Sequence, residues 1–211
     1  MLIIGLCGSS GSGKNTVADL FMQAGIPSLD TDRLYHALIG TDSACARELI
    51  AAFGQGIARA DGAVDRALLR EMVFGAGADA EEKRARLNHI SHRHVWVETE
   101  KWLDNCRQNG DWAACINAPL LFESGYDARC DVTVAVLSPF DTKLRRIMAR
   151  DGLARRDAER RLRAQLSDEA LWERADYVLH NDRDMTHLAQ QTNLLIKKLK
   201  ENQENREGVN L

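Results

Sequence analysis

The sequence predicts an α/β fold: a parallel sheet flanked by helices, with a helical insertion after the second strand and an arginine-rich helical segment near the end. Three observations predict it. Short apolar runs at 2–7, 26–29, 113–118, 132–137 and 177–180 alternate with helical periodicity. A glycine-rich turn joins the first run to a helix. Between 36 and 109 the pattern is helical, broken only by a turn-rich stretch at 54–62.

The first run, Leu2-Ile3-Ile4-Gly5-Leu6-Cys7, leads into Gly8-Ser9-Ser10-Gly11-Ser12-Gly13-Lys14-Asn15-Thr16. This fits the phosphate-loop spacing G-x-x-x-x-G-K-[ST] up to its last position, where Asn15 stands for Ser or Thr. Glycines allow backbone conformations in which successive N–H groups point inward at a phosphate. The following helix adds the positive end of its dipole, and Lys14 reaches the β/γ-phosphates. A glycine turn without ligand is the plainer reading of such spacing. The strand before it and the helix after it favour the phosphate site. The fold expected is therefore of the P-loop NTPase type, with residues 8–16 binding nucleotide.

The helix continues through 17–24, stopped by Gly25 with Pro27 just beyond. The second strand, 26–29, ends in Asp30-Thr31-Asp32. Strand period places both aspartates on one face. Asp32 is the candidate to take a proton from a substrate hydroxyl, and Asp30 or Thr31 the candidate N-cap of a helix containing Leu34 and Leu38. Helix faces follow at Ala46, Leu49, Ile50, Phe53 and at Leu68, Leu69, Met72, Val73. A long helix over 80–106 carries the stripe Leu87, Ile90, His94, Val97. Later helices are expected at 141–150, 157–166 and 185–199, then a polar, frayed tail from 201 to 211. The organisation expected is a core of 1–35 with 110–140 and 166–200, a helical acceptor-binding insertion at 36–109, and a lid at 141–165. Ligands in such sheets bind at the carboxyl ends of the strands.

Composition narrows the function. A net charge of −3 over 211 residues gives no basic field to recruit nucleic acid. No apolar run is long enough to cross a bilayer, and the N-terminal run ends at the glycine turn, which reads as a strand and not a signal peptide. A cytoplasmic protein is expected. The five cysteines are odd in number and form no C-x-x-C pair, so neither a disulfide framework nor a zinc site is indicated. Cys115 and Cys130 read as buried thiols. His89, His92 and His94 lack the carboxylate or cysteine that would complete a metal set. Trp96, Trp102, Trp112 and Trp172 read as core or interface residues.

Charge gathers in one place. Between 141 and 163, Lys143 and Arg145, 146, 150, 155, 156, 160, 161 and 163 give nine positive charges against Asp141, Asp151, Asp157 and Glu159, a local +5 in a chain of −3. A lid closing arginines over a triphosphate explains the excess, and a solvated hairpin with ion pairs accounts for part of it. Arg146 and Arg150, four apart on one helix face, are the first candidates.

Together these residues resemble the dephospho-coenzyme A kinase family. The resemblance runs in order over about residues 3–190: Gly5 through Ala18, Asp30-Thr31-Asp32, Arg66 through Phe74, Leu87 with Ile90 and His92, Pro119-Leu120-Leu121-Phe122-Glu123, Leu144 to Asp151, Arg161-Leu162-Arg163-Ala164-Gln165, and Ala175 to Asn181. It implies transfer of phosphate from ATP, with Mg²⁺, to the ribose 3′-hydroxyl of dephospho-coenzyme A, the last step of coenzyme A formation. Asp32 would orient or deprotonate the hydroxyl. Lys14 and the loop amides would hold the phosphates, and Arg146 with Arg150 would cover the transferring group. Arg66, His92, Leu121 and Glu123 would serve the acceptor, and Gln165 and Asn181 the nucleotide. The departures cluster at the nucleotide. Asn15 replaces the serine that ligates the metal and would be the Mg²⁺ ligand through its carbonyl oxygen, Asn117 stands where the family often has Asp, Cys7 replaces Thr, and Ser9-Ser10 replaces Gly-Ile. Two alternatives share these parts: another small-molecule kinase such as a nucleoside monophosphate kinase, and a nucleotide-binding protein with little catalysis.

Overall fold

The computed structural model describes residues 1–74 and 79–208, and it divides into two compact units, 1–29 with 106–211 and 30–105. The first unit is built on a parallel sheet of order β2-β3-β1-β4-β5. Its strands are β1 (Leu2–Cys7), β2 (Ser28–Asp30), β3 (Ala113–Asn117), β4 (Val132–Leu137) and β5 (Tyr177–His180). β1 lies between β3 and β4, with Ile4 opposite Cys115 on one side and Val132 on the other. β3 and β4 are buried at every position, as strands covered on both faces must be. Helix α1 (Lys14–Gln23) sends Val17 and Phe21 into this core, and α9 (Met185–Gly208) adds Leu188, Leu195 and Leu199. Each such side chain contributes roughly 1.5–3 kcal/mol through burial. On α6 (Phe140–Asp151) and α7 (Arg155–Arg163), Leu144, Ile147, Ala158 and Leu162 form a small separate core.

The second unit is helical: α2 (Thr31–Ile39), α3 (Ala44–Phe53), α4 (Arg66–Phe74) and most of α5 (Ala80–Gln108). Ile39, Leu49, Ile50, Ile57, Leu69, Val73 and Ile90 are its buried centre. Ser43 caps α3 by accepting the Ala46 N–H, and the turn-rich stretch that follows is closed by an antiparallel bridge between Ala58 and Val64.

Several expectations are corrected. β2 stops at Asp30 and α2 begins at Thr31, so Asp30 and Asp32 do not share a strand face. Asp30 is the N-cap, its Oδ1 accepting the Arg33 N–H at 3.0 Å, and Asp32 lies exposed in the first turn. The α5 stripe leaves the expected register after Ile90. Val97 is 45% exposed, and the buried side runs through Ser91, Val95, Thr99, Leu103 and Cys106. Helix α8 (Asp168–Arg174), capped by Ser167, is an addition to the expected elements, and its Trp172 is exposed. The polar end expected to fray from 201 is helical to Gly208, a continuation of α9, and 209–211 lie outside the described residues.

Candidate active site

The chain leaves β1 at Cys7 and turns through 8–13 into α1. Gly13 closes the turn in the left-handed region, φ 97°, and a Cβ there would strike the side-chain nitrogen of Asn181. Gly11, φ 78°, would place a Cβ 2.7 Å from the Lys143 carbonyl. Both conformation and space therefore require glycine. Helix α1 has no side-chain N-cap bond and no acidic residue in its first turn. Its leading N–H groups and dipole are left for an anion. The hydroxyls of Ser9 and Ser12 are buried without a hydrogen-bond partner among the described residues.

Three separate elements brace this turn. Asn181, directly after β5, donates Nδ2–H to the Ser12 carbonyl at 2.7 Å. Arg146 of α6 donates Nη1–H to the Gly11 carbonyl at 3.1 Å and lies 3.4 Å from Ser138 Oγ, with Nη2 3.5 Å from Asn181 Oδ1. Gln165, just beyond α7, accepts the Ser10 N–H at 2.9 Å. Among the described residues the hydrogen-bond partners of Arg146 are neutral oxygens, so none of them cancels its charge at the loop. Arg146, Gln165 and Asn181, well separated in sequence, thus meet on one loop.

Arg150 is placed differently. Its Nε and Nη2 donate to both oxygens of Asp151, at 2.7 and 2.8 Å, and Arg161 reaches the same carboxylate at 2.8 Å. Arg150, then Arg161, hold the Asp151 carboxyl below the usual range. Arg155 pairs with Glu159 and Arg160 with Asp157. These exposed pairs are the solvated part of the charge run.

On β3, Asn117 ends the strand at 2% exposure, with Asn117 Nδ2–H donating to Asn15 Oδ1 at 3.1 Å. Neither residue brings a charge, and the Asn15 oxygen already serves as acceptor. Mg²⁺ favours carboxylates together with substrate phosphates, so this pair does not fit the ligand set expected at position 15. Among the described residues no three His, Cys, Asp or Glu side chains gather as a metal site. Glu123 acts on the start of the loop: burial pushes the Cys7 thiol up to about 12, the Glu123 carboxylate adds to this, and Lys14 opposes it. Leu121, expected at the acceptor, is wholly buried, packed over Gly5 of β1 beside Cys130. Thr16 lies in the first turn of α1. Burial likewise lifts Cys115 and Cys130 to about 12, which keeps them protonated and unreactive at neutral pH.

In the helical unit, Arg66 opens α4 and donates to His36 Nε2 at 3.2 Å. Burial, then Arg66, holds His36 below the ordinary imidazole value, which suits a neutral acceptor. His92 is half-buried and also lowered, by burial. His94 and Arg93 both turn to Glu48.

Sequence reasoning missed Ser138, whose hydroxyl donates to the Asn181 carbonyl at 2.8 Å, and the contact between Asn15 and Asn117; it counted Lys143 in the charge run but not its burial, 5% exposed and bonded to both oxygens of Asp168 at 2.7 and 2.8 Å. Ser138 was findable, since it directly follows β4 at a strand carboxyl end, where ligand sites form, as Asn117 does at the end of β3.

The family model described as dephospho-CoA kinase matches residues 2–187. The dephospho-CoA kinase of Moorella thermoacetica is 39% identical over 186 residues, covering 88% of this chain and 86% of that one. That of Listeria monocytogenes is 33% identical over 199 residues, covering 94% and 98%. Among solved structures, TT1252 from Thermus thermophilus superposes with a TM-score of 0.79 at 32% identity, covering 94% and 97%. The dephospho-CoA kinase from Campylobacter jejuni gives 0.69 at 22% identity, covering 95% and 98%, a likeness of fold. On the order and extent of these matches, the chain belongs to the dephospho-CoA kinase family.

Proposed function

We propose that the protein transfers the γ-phosphoryl group of ATP to the ribose 3′-hydroxyl of dephospho-coenzyme A, giving coenzyme A and ADP in the cytoplasm. The observation that carries this reading is the glycine turn, held open toward an anion by Arg146 and Asn181 at the uncapped start of α1. The loop amides and Lys14 bind the β- and γ-phosphates. Arg146 places a fixed positive charge beside the loop, where charge develops as the β–γ bridging P–O bond breaks. Asp32 accepts the proton of the attacking hydroxyl as the new P–O bond forms. Arg66, His92 and Glu123 serve the acceptor, with Leu121 supporting them from the core. Gln165 ties the end of the 141–165 lid to the loop, and Arg150 joins it only by exchanging its contact with Asp151. Mg²⁺ is the expected companion of ATP, but the Asn15–Asn117 pair does not supply its usual ligands, and no step above runs through it.

The test is ADP release from ATP and Mg²⁺, with and without dephospho-coenzyme A, for the native chain and Asp32→Asn. Release that depends on the acceptor and falls by about 10²–10⁴-fold in Asp32→Asn is the expected result. Release with a nucleoside monophosphate but not with dephospho-coenzyme A would assign a different acceptor. Tight ATP binding without release to either would leave a nucleotide-binding protein.

A further inference from the structure

We propose that Asn15 serves this site as a hydrogen-bond donor to phosphate and not as a metal ligand, with Asn117 as the residue that holds it in that role. The inference rests on the nucleotide reading above and concerns the position where a phosphate loop ordinarily presents a hydroxyl to the metal.

The geometry begins at Asn117. It is fixed in β3 opposite Leu6 of β1, and the next residue, Ala118, donates its N–H to the Leu6 carbonyl at 2.9 Å. Its side chain is therefore launched from a rigid, buried point. Asn117 Nδ2–H points at Asn15 Oδ1. A planar amide sends its oxygen and its nitrogen to opposite sides of one carbon. With the oxygen turned to Asn117, the two N–H donors of Asn15 face away from β3, from an exposed position in the first turn of α1. The uncapped helix start presents its own N–H groups there.

Charge points the same way. Two neutral amides offer nothing to balance a divalent cation. Lys14 opens α1, and Arg146 holds its charge against the Gly11 and Ser12 carbonyl oxygens of the loop. Phosphate charge at this site is met by protein cations and N–H donors. Nucleotide affinity in this chain should then depend little on magnesium, and the dependence should appear when a hydroxyl and a carboxylate are put back.

The experiment is calorimetric titration of the whole chain with the imido analogue of ATP, which is not hydrolysed, in EDTA and in excess Mg²⁺. For the native chain the two dissociation constants should agree within about threefold. Asn15→Ala should weaken binding in EDTA about fivefold or more, the loss of a hydrogen bond to a charged group. Asn15→Ser with Asn117→Asp should bind about tenfold or more tightly with Mg²⁺ than without. Thermal melts establish that each variant is folded. If the buried carboxylate introduced by Asn117→Asp unfolds the double variant, the exposed-site changes Asn15→Ala and Asn15→Ser carry the test, and Asn15→Ser should still show the larger magnesium effect. A native chain that binds tenfold tighter with Mg²⁺, or Asn15→Ala binding in EDTA as well as the native chain, overturns the proposal. A native chain that binds no analogue in either buffer overturns instead the nucleotide reading on which it rests.

Discussion

Helix α6 carries its cations on two sides, and the two sides are used differently. Toward the sheet, Lys143 is buried against Asp168, and Arg146 reaches the carbonyl of Gly11. Toward solvent, Arg150 turns back on Asp151, which also takes Arg161, while Arg155 and Arg160 of α7 pair with carboxylates of their own helix. Arg146 and Arg150 are four residues apart, yet only Arg146 meets the loop. The difference lies in the partners. An arginine beside a carboxylate has its field cancelled within a few ångströms, whereas one bonded to carbonyl and hydroxyl oxygens keeps it. A local excess of positive charge therefore locates a segment and does not identify the working residue.

The comparison breaks most decisively at Arg146. Arg146→Ala removes both a support of the loop and its fixed charge, and kcat/KM for phosphoryl transfer should fall about 10²–10³-fold. Arg146→Lys should recover little, because one ammonium cannot reproduce the forked donors that span the Gly11 carbonyl and Asn181. Steady-state kinetics with ATP and dephospho-coenzyme A measure this. Activity of Arg146→Ala within a few-fold of native would show that the inner cation is no more than a surface charge.

Lys143 tests the inner side through stability. Asp168→Asn leaves a buried ammonium with a weaker partner. Asp168 itself is partly exposed, so the cost should be roughly 1–3 kcal/mol, below the range for a fully buried pair. Denaturant unfolding measures it. Adding Lys143→Met should return part of the loss, since an apolar chain of similar length removes the stranded charge. A single variant as stable as native would mean that Lys143 escapes to water, and the two sides of α6 would no longer differ in burial.

How much of this is legible in the sequence depends on the range of the interaction. Local signals read well. The glycine turn, the apolar strand runs and the helix faces of 46–53 and 69–73 are each set by neighbours within a few residues, and they fall within the observed elements, although Leu68, read with the same face, is 45% exposed and the run at 26–29 is a strand only from Ser28. Asp30, one of two cap candidates in the sequence with Thr31, is the cap, but the period-two argument linking it to Asp32 fails, because the strand ends at Asp30, two residues before Asp32. On α5 the charged majority hides the buried stripe: Thr99, wholly buried, bonds the Val95 carbonyl at 2.8 Å, a solution a polar residue does not advertise. Asn15 and Asn117, 102 positions apart, each read as a departure from pattern, and only their approach across adjacent elements shows them as a pair. Arg146 stands out in the sequence by its spacing from Arg150, yet what separates the two is a carboxylate next to one of them and a loop beside the other.

The smallest effect belongs to the outer arginines, and it sharpens the comparison most. Arg155 and Arg160 side chains are 66% and 78% exposed in their ion pairs. Holding two long side chains together at such exposure costs conformational entropy that nearly offsets the attraction, and salt screens the rest. Arg155→Ala and Arg160→Ala should each change stability by less than about 0.5 kcal/mol, and kcat/KM by less than about twofold, since neither guanidinium touches the loop. Arg150 should fall slightly above them. It helps hold Asp151 in its ionised form, and the sign follows from the lowered carboxyl: the contact contributes above the ordinary carboxylate range and fades as pH falls through the lowered Asp151 value. The stability difference between native chain and Arg150→Ala should accordingly shrink on acidification and stay level from neutral pH upward. If instead Arg155→Ala or Arg160→Ala cut kcat/KM tenfold with KM for ATP unchanged, the hairpin must reach the transferring phosphate during turnover, and the division between inner and outer cations would describe only the resting molecule.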